Sequence, residues 1–208
     1  MIAIIDYGVG NLRSVQKALE KVGRDARITA SPQELRSADG VILPGVGAFG
    51  DGMRSLLALG FVDALQAYVA GGKPLLGICL GMQLLFSSSD EHGFHKGLDL
   101  MPGHVRKMQG EFKIPQVGWN QLQPQQSHPL IDGITAGEYA YFVHSYYVDP
   151  VDPKVVIAKA NYHIDVPAIV AYDHIYGMQF HPEKSSATGL RLLDNFASLC
   201  EREATATC

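Results

Sequence analysis

Residues 74–86, Pro-Leu-Leu-Gly-Ile-Cys-Leu-Gly-Met-Gln-Leu-Leu-Phe, set one cysteine between two glycines where a short apolar run gives way to a longer one. Residues 75–78 have the length and composition of a strand buried on both faces, and the residues from Leu80 onward predict a helix. A strand that turns sharply into a helix at Gly77-Ile78-Cys79-Leu80-Gly81 has the form of a nucleophile elbow with sulfur in place of oxygen. Such a bend points its central side chain out above a sheet and holds it in a strained backbone conformation. Glycines two positions before and after remove the side chains that would collide there. A helix starting at Leu80 aims its unpaired N–H groups and positive dipole end at the sulfur, which stabilises a thiolate and any oxyanion formed beside it. On this motif alone a buried, space-filling thiol is an equal reading, because free cysteines are among the most buried residue types.

Working outward, the same alternation recurs. Residues 2–5 read as a buried strand, followed by a turn through Asp6-Tyr7-Gly8-Val9-Gly10-Asn11 and a helix marked by Leu12, Val15, Leu19 and Val22. Residues 27–29 form a second short strand. Ser31-Pro32-Gln33-Glu34 carries the signals of a helix start, and residues 41–43 a third strand. Phe61, Leu65, Tyr68 and Val69 mark a further helix that ends at Gly71-Gly72. Short apolar strands alternating with amphipathic helices predict an α/β fold with a mostly parallel central sheet and helices on both faces. After about residue 93 the texture changes to strand-like runs at 105–108, 139–143, 155–160, 168–172 and 175–180, which predict mixed or antiparallel pairing. A last helix is expected from near Ser185, with Leu190, Leu193, Phe196 and Leu199 inward and residues 201–208 as a frayed tail.

The second chemical element is Gln179-Phe180-His181-Pro182-Glu183-Lys184. If the preceding strand persists, residues two apart project to one side, so His181 and Glu183 lie together. Glu183 then fixes the imidazole tautomer, while His181 takes the thiol proton and returns it to a leaving amine. With Cys79 these spell a Cys-His-Glu triad. A metal reading of His181 and Glu183 fails because no Cys-x-x-Cys and no further ligand at suitable spacing accompanies them. No metal or cofactor is expected.

Gly45-Val46-Gly47-Ala48-Phe49-Gly50 matches the dinucleotide fingerprint letter by letter, but it follows the third strand rather than the first and is preceded by Pro44. A mobile backbone loop facing the substrate is the better use. Two donors could surround an oxyanion: the Leu80 N–H and one from Val46 or Gly47.

Composition excludes several classes. The 208 residues carry a formal net charge of -4 and no basic stripe, so nucleic acid is not expected as a partner. The start lacks a basic n-region, no apolar run reaches membrane-spanning length, and the three cysteines suit a reducing compartment; a cytoplasmic, non-membrane location is the expectation.

With these residues in place, the chain resembles the class I, triad-type glutamine amidotransferases, whose fold is flavodoxin-like. More narrowly, it is similar to the glutaminase subunits of imidazole glycerol phosphate synthases of histidine biosynthesis. The motifs carrying the likeness are IDYGVGNLRSV, LPGVGAFGDGM, GICLGMQLLF, KGLDLMPG, PQVGWN, YFVHSYY and GMQFHPEKS. The resemblance implies one glutamine amidotransferase type-1 domain over residues 1–208. It implies hydrolysis of glutamine to glutamate and ammonia by Cys79, His181 and Glu183, with Gly45, Val46, Gly47 and Leu80 as the oxyanion loop. Gln83, His144, Ser145 and Tyr146 are implied to hold the amino-acid end of glutamine. Asn11, Trp119, Tyr141 and Lys184 are implied to face a separate (β/α)8-barrel synthase in a heterodimer, which makes imidazole glycerol phosphate and aminoimidazole carboxamide ribotide. The 45–47 loop is expected to be poorly aligned until that partner binds. Gln116-Val117 departs from the histidine and methionine that many relatives carry before Gly-Trp-Asn. A cysteine peptidase on the same fold and a catalytically silent binding subunit are the competing readings.

Overall fold

The structure, a computed structural model, describes residues 1–206. In chain order the strands are β1 (Ile2–Ile5), β2 (Ala26–Thr29), β3 (Gly40–Gly45), β4 (Leu75–Cys79), β5 (Phe86–Ser89), β6 (His95–Lys96) and β7 (Met101–Lys107). They continue with β8 (Gln116–Gln121), β9 (Gln123–Pro124), β10 (Tyr139–His144), β11 (Tyr146–Pro150), β12 (Val156–Tyr162), β13 (Ile164–Tyr172) and β14 (Ile175–Met178). The helices are α1 (Leu12–Lys21), α2 (Phe49–Ala58), α3 (Phe61–Ala70), α4 (Leu80–Leu84) and α5 (Ser186–Ala206).

Eight strands form the main sheet in the order β2-β1-β3-β4-β14-β13-β12-β9. Pairings from β2 through β14 are parallel, and those from β14 outward to β9 are antiparallel. This is the α/β architecture with a mixed second half that the texture of the sequence predicts. The apolar runs are buried on both faces because each strand sends alternate residues to opposite sides. Ile2, Ile4, Ile42, Leu76 and Ile78 pack with Val15, Leu19, Leu193 and Phe196 of α1 and α5. Ala3, Ile5, Val41, Leu43 and Leu75 pack with Leu56, Phe61, Leu65 and Tyr68 of α2 and α3. Each fully buried Leu, Ile or Phe of this kind contributes roughly 1.5–3 kcal/mol.

Two small sheets flank the main one: β10 with β8, and β11-β7-β5-β6. They lie on the side where the elbow opens, and both supply residues to the pocket described below.

Three local expectations are corrected, and one helix is found that the sequence reading did not mark. The start signals at Ser31 produce a 3-10 helix, Pro32–Ser37, and not an α-helix; Ser31 Oγ pairs with the Gln33 side chain instead of capping a backbone N–H. The helix α2 forms despite Gly50 and Gly52, two poor helix formers that obscured it. Strand β14 stops at Met178, and His181 caps a 3-10 turn, Pro182–Lys184. His181 and Glu183 therefore meet through a turn and not through strand alternation. Finally, α5 does not fray at Glu201 but continues to Ala206, held in part by Arg24 bonding to Asp194, Ser198 and Glu201; the rest of the expected tail, 207–208, lies outside the described residues.

Candidate active site

Cys79 ends β4 and is the N-cap of α4, at φ 55° and ψ -112°. A non-glycine residue at positive φ is uncommon and costs on the order of 1–3 kcal/mol, which the surroundings must offset. Here they do so by packing. A Cβ at Gly81 would overlap the carbonyl of Leu43, and one at Gly77 would lie 2.6 Å from the Gly81 carbonyl oxygen. Helix α4 can pack this closely on β4 only with Gly77 in place, and on β3 only with Gly81 in place. The bend is the elbow that Gly77 and Gly81 predict, with Cys79 at its tip, 7% exposed as a residue.

The partner group arrives because β14 inserts beside β4 in parallel, pairing Met178 with Ile78. The chain leaving β14 thus runs past the elbow. His181 Nδ1 donates to Glu183 Oε1 at 2.9 Å, and His181 and Cys79 line the same pocket. Both side chains of the His-Glu pair are nearly inaccessible. Burial alone lowers the pKa of His181; the hydrogen bonds to Cys79 and Glu183, with their charges, outweigh it and raise the value to about 9. The sulfur and the imidazole, 102 positions apart by their numbers in the sequence, are in one site.

A pocket of about 520 Å³ opens on this sulfur, lined among others by Val46, Gly47, Leu80, Gln83 and the segment His144-Ser145-Tyr146. All these residues from the sequence reading meet here. Gly47, at φ 110°, takes a backbone conformation that a residue with a side chain rarely adopts. Gly45 lies deeper, against Tyr7 and Leu80. Gln83 donates through Nε2 to the Tyr146 carbonyl and to Gln179 Oε1, both at 3.0 Å, while Gln179 Nε2 lies 4.0 Å from the sulfur. The ring of His144 is engaged by the Tyr146 carbonyl and by Gln116, so it shapes the pocket wall without being free to grip a ligand.

Glu91, His92 and Lys107 also line the pocket and were missed in the sequence. Glu91 Oε2 accepts from the Phe49 N–H at 2.7 Å, which ties its loop to the start of α2 just after the 45–47 segment. No spacing signal marks these three: the β5–β6 connection and β7 bring them in through tertiary pairing. A larger hollow of about 650 Å³ between the Pro32–Ser37 turn and α3 holds none of the triad residues.

Of the positions read as facing a partner, Trp119 and Tyr141 lie opposite each other in the β8–β10 register, ring centroids 5.8 Å apart. Trp119 is 51% exposed, so it is no core aromatic. Val117 and Val143 extend the same face, forming an apolar stripe. Lys184 is exposed at the pocket rim, and Asn11 caps α1, which packs against the turn carrying Lys184.

Comparison with known proteins agrees with this geometry. The class-I glutamine amidotransferase family model matches residues 3–199. A chain named imidazole glycerol phosphate synthase subunit HisH from Desulfitobacterium hafniense (strain DSM 10664 / DCB-2) is 50% identical over 205 residues, covering 99% of this chain and 97% of that one. A chain of the same name from Halobacterium salinarum is 52% identical, covering 96% of this chain and 93% of that one. A solved glutamine amidotransferase superposes with a TM-score of 0.77 at 19% identity over 97% of this chain and all of its own length, which shows the shared fold. A cysteine elbow met by a histidine from the turn that follows the neighbouring parallel strand, together with half the sequence shared end to end, places the chain in the class I glutamine amidotransferases, in the imidazole glycerol phosphate synthase subunit HisH family.

Proposed function

We infer that this chain is the glutaminase subunit of an imidazole glycerol phosphate synthase, acting in histidine biosynthesis as one glutamine amidotransferase domain. The observation that carries the chemistry is His181, held by Glu183 at 2.9 Å and lining one pocket with Cys79, whose charge helps raise its pKa. Cys79 passes its proton to His181 and attacks the side-chain carbonyl of glutamine. The tetrahedral oxyanion collapses with expulsion of ammonia, which takes the proton back from His181, and a glutamyl thioester remains. Water, deprotonated by His181, then hydrolyses the thioester to glutamate and frees the thiol.

The Leu80 N–H and one N–H of the Val46 or Gly47 peptides stabilise the oxyanion; each donor of this kind is worth about 2.7–4 kcal/mol. Gln83 and the backbone of Ser145 and Tyr146 hold the amino-acid end of glutamine. Glu91, with one oxygen left over from its bond to Phe49, accepts from the α-ammonium group. The pocket's volume and its mixture of charges suit a free amino acid better than a peptide.

The ammonia acceptor belongs to a synthase subunit, a (β/α)8 barrel in our reading, docked on the face bearing Trp119, Tyr141, Asn11 and Lys184. That face bears directly on the triad: the His181 N–H donates to the Tyr141 carbonyl, and the Tyr141 N–H donates to Ser185 Oγ. The 45–47 loop gains its productive alignment on docking. The reaction takes place in the cytoplasm; no described helix is long and apolar enough to cross a membrane.

The test is ammonia release from glutamine by the chain with and without the synthase subunit. Release that is strongly raised by the partner and abolished by Cys79→Ala is expected. Turnover unaffected by Cys79→Ala would overturn the mechanism, and equal rates with and without partner would overturn the switch.

A further inference from the structure

Gln116 and His144 pair across β8 and β10, and both side chains are buried, at 2% and 6% exposure. His144 Nδ1 lies 2.8 Å from the Tyr146 carbonyl oxygen, which can only accept, so Nδ1 carries a proton. On the other side, His144 Nε2 lies 3.1 Å from Gln116 Oε1, a second acceptor. Acceptors on both nitrogens suit an imidazolium only. Burial argues against one: it lowers the pKa of His144 to about 4, with the bond to Tyr146 opposing and the charge of His181 adding to the effect. Meanwhile the amide nitrogen of Gln116 is buried with no partner. A half-turn of this amide, whose two ends have nearly the same shape, settles both conflicts. It leaves only a carbonyl-type oxygen unpaired, the less unusual of the two orphans.

We propose that Gln116 is a positioning residue of the glutamine pocket: its amide nitrogen donates to His144 Nε2, and this bond anchors a buried chain that leads to the nucleophile. From His144 the chain passes to the Tyr146 carbonyl, then to Gln83 Nε2, and through its second hydrogen to Gln179 Oε1. Gln179 Nε2 then faces the Cys79 sulfur at 4.0 Å. Every link has one sense. Because the Tyr146 carbonyl must receive, Gln83 presents nitrogen to it, which leaves Gln83 Oε1 for the pocket. Because Gln179 must accept from Gln83, its own nitrogen is turned to the sulfur, where a donor favours the thiolate. Reversing the first amide would set an acceptor against an acceptor and loosen the wall that holds the Tyr146 carbonyl. The role in glutamine binding rests on the glutaminase reading; the hydrogen bond itself does not.

The experiment has two arms. Nitrogen-15 NMR of the full chain with labelled histidine, without glutamine and near neutral pH, is expected to show His144 as the neutral Nδ1–H tautomer with Nε2 unprotonated. An imidazolium or an Nε2–H tautomer overturns the proposal. In the second arm, Gln116→Met removes the donor at similar volume, and Gln116→Glu replaces it with an acceptor. For the complex with the synthase subunit, Gln116→Met should raise the KM for glutamine about tenfold while kcat changes less than about threefold, the loss of one buried hydrogen bond to a neutral group. Gln116→Glu should drive His144 toward the imidazolium in the same NMR spectrum. A wild-type KM in Gln116→Met with an unchanged His144 tautomer in both variants overturns the positioning role. If no variant and no wild-type complex turns over glutamine, the glutaminase reading fails, while the tautomer still decides the bond.

Discussion

The parallel half of the main sheet and the β8–β10 pair meet at the same sulfur and are built in opposite ways. In the first, β1, β3 and β4 are covered on both faces, and Cys79 is wedged into a positive-φ bend by backbones touching at Gly77 and Gly81. In the second, Ala140 and Phe142 are buried on one face, while Val117, Trp119, Tyr139 and Val143 are open on the other. A closed region holds Cys79 in a conformation it would not adopt alone, and an open one leaves an apolar face exposed, as binding surfaces do. The two are joined by short links: the Val143 carbonyl lies 3.9 Å from the sulfur, and the Tyr141 backbone brackets the turn bearing His181. The difference teaches that chemical geometry and its control can be assigned to separate layers only when the contact between them is a few atoms wide.

The sharpest way to break this contrast is to attack the closed side. Gly81→Ala places a Cβ on the Leu43 carbonyl, with backbone on both sides and nothing flexible to yield. A loss of about 4 kcal/mol or more is expected, and a melting temperature lowered by about 8–16 °C at this chain length. A melting curve matching wild type would show that the elbow does not depend on that approach.

Glu183→Gln tests the chemistry with the packing left intact. Removing the carboxylate that orients the imidazole should lower kcat by about 10²–10⁴. The pH dependence follows from the sign of the shift. His181 is raised to about 9, so the imidazolium needed to protonate the leaving ammonia persists until the pH passes that value. Without Glu183 the alkaline limb of the rate profile should move to lower pH. By the same linkage, the stability that the folded state draws from protonated His181 is fully present below about 6.5 and lost as pH rises through about 9. An alkaline limb that does not move would sink the assignment of that limb to His181.

On the open side the prediction reverses. Trp119→Ala should weaken association with the synthase subunit by about 2 kcal/mol, near thirtyfold, as removal of a central aromatic anchor does. The melting temperature of the isolated chain should stay within about 2 °C, since the ring is half exposed. Calorimetric titration and a thermal melt separate these effects; a folding defect without a binding defect would place Trp119 in the wrong layer.

The closed region was also the more legible of the two in the sequence. Apolar runs such as 2–5 and 75–78 announce strands buried on both faces, and Gly77 and Gly81 announce the bend. What could not be read locally was the insertion of β14 beside β4, because nothing in residues 175–178 names its neighbour. The meeting of Cys79 with His181 rests on the complementary chemistry of two distant segments, with motif likeness added, and the pairing of His181 with Glu183 rests on a strand that the structure replaces with a Pro182 turn. Glu91, His92 and Lys107 stayed invisible for a related reason: each is an ordinary polar residue until the four-stranded sheet folds it over the pocket. Helix α2 was lost to its own glycines. Gly50 is there because a side chain would strike the ring of His95, a tertiary demand that overrides local propensity.

Tyr7 probes the contrast at its smallest scale. It is buried in the closed region beneath Gly45, at the root of the loop read as supplying an oxyanion donor. Its hydroxyl has no hydrogen-bond partner, and burial, with Cys79 nearby adding to it, holds its pKa far above the ordinary phenol value. An unpaired buried hydroxyl carries a desolvation cost with no return, so Tyr7→Phe should be neutral or stabilising by up to about 1 kcal/mol in the isolated chain. If the loop rearranges on docking and gives that hydroxyl a partner, the same substitution should lower glutaminase activity of the complex by about fivefold, the size of one ordinary hydrogen bond. Chemical denaturation of the chain and turnover by the complex measure the two halves separately. A stability loss above about 1 kcal/mol in the isolated chain would mean the hydroxyl is already satisfied before docking, and the 45–47 loop would then have to be switched without help from the residue beneath it.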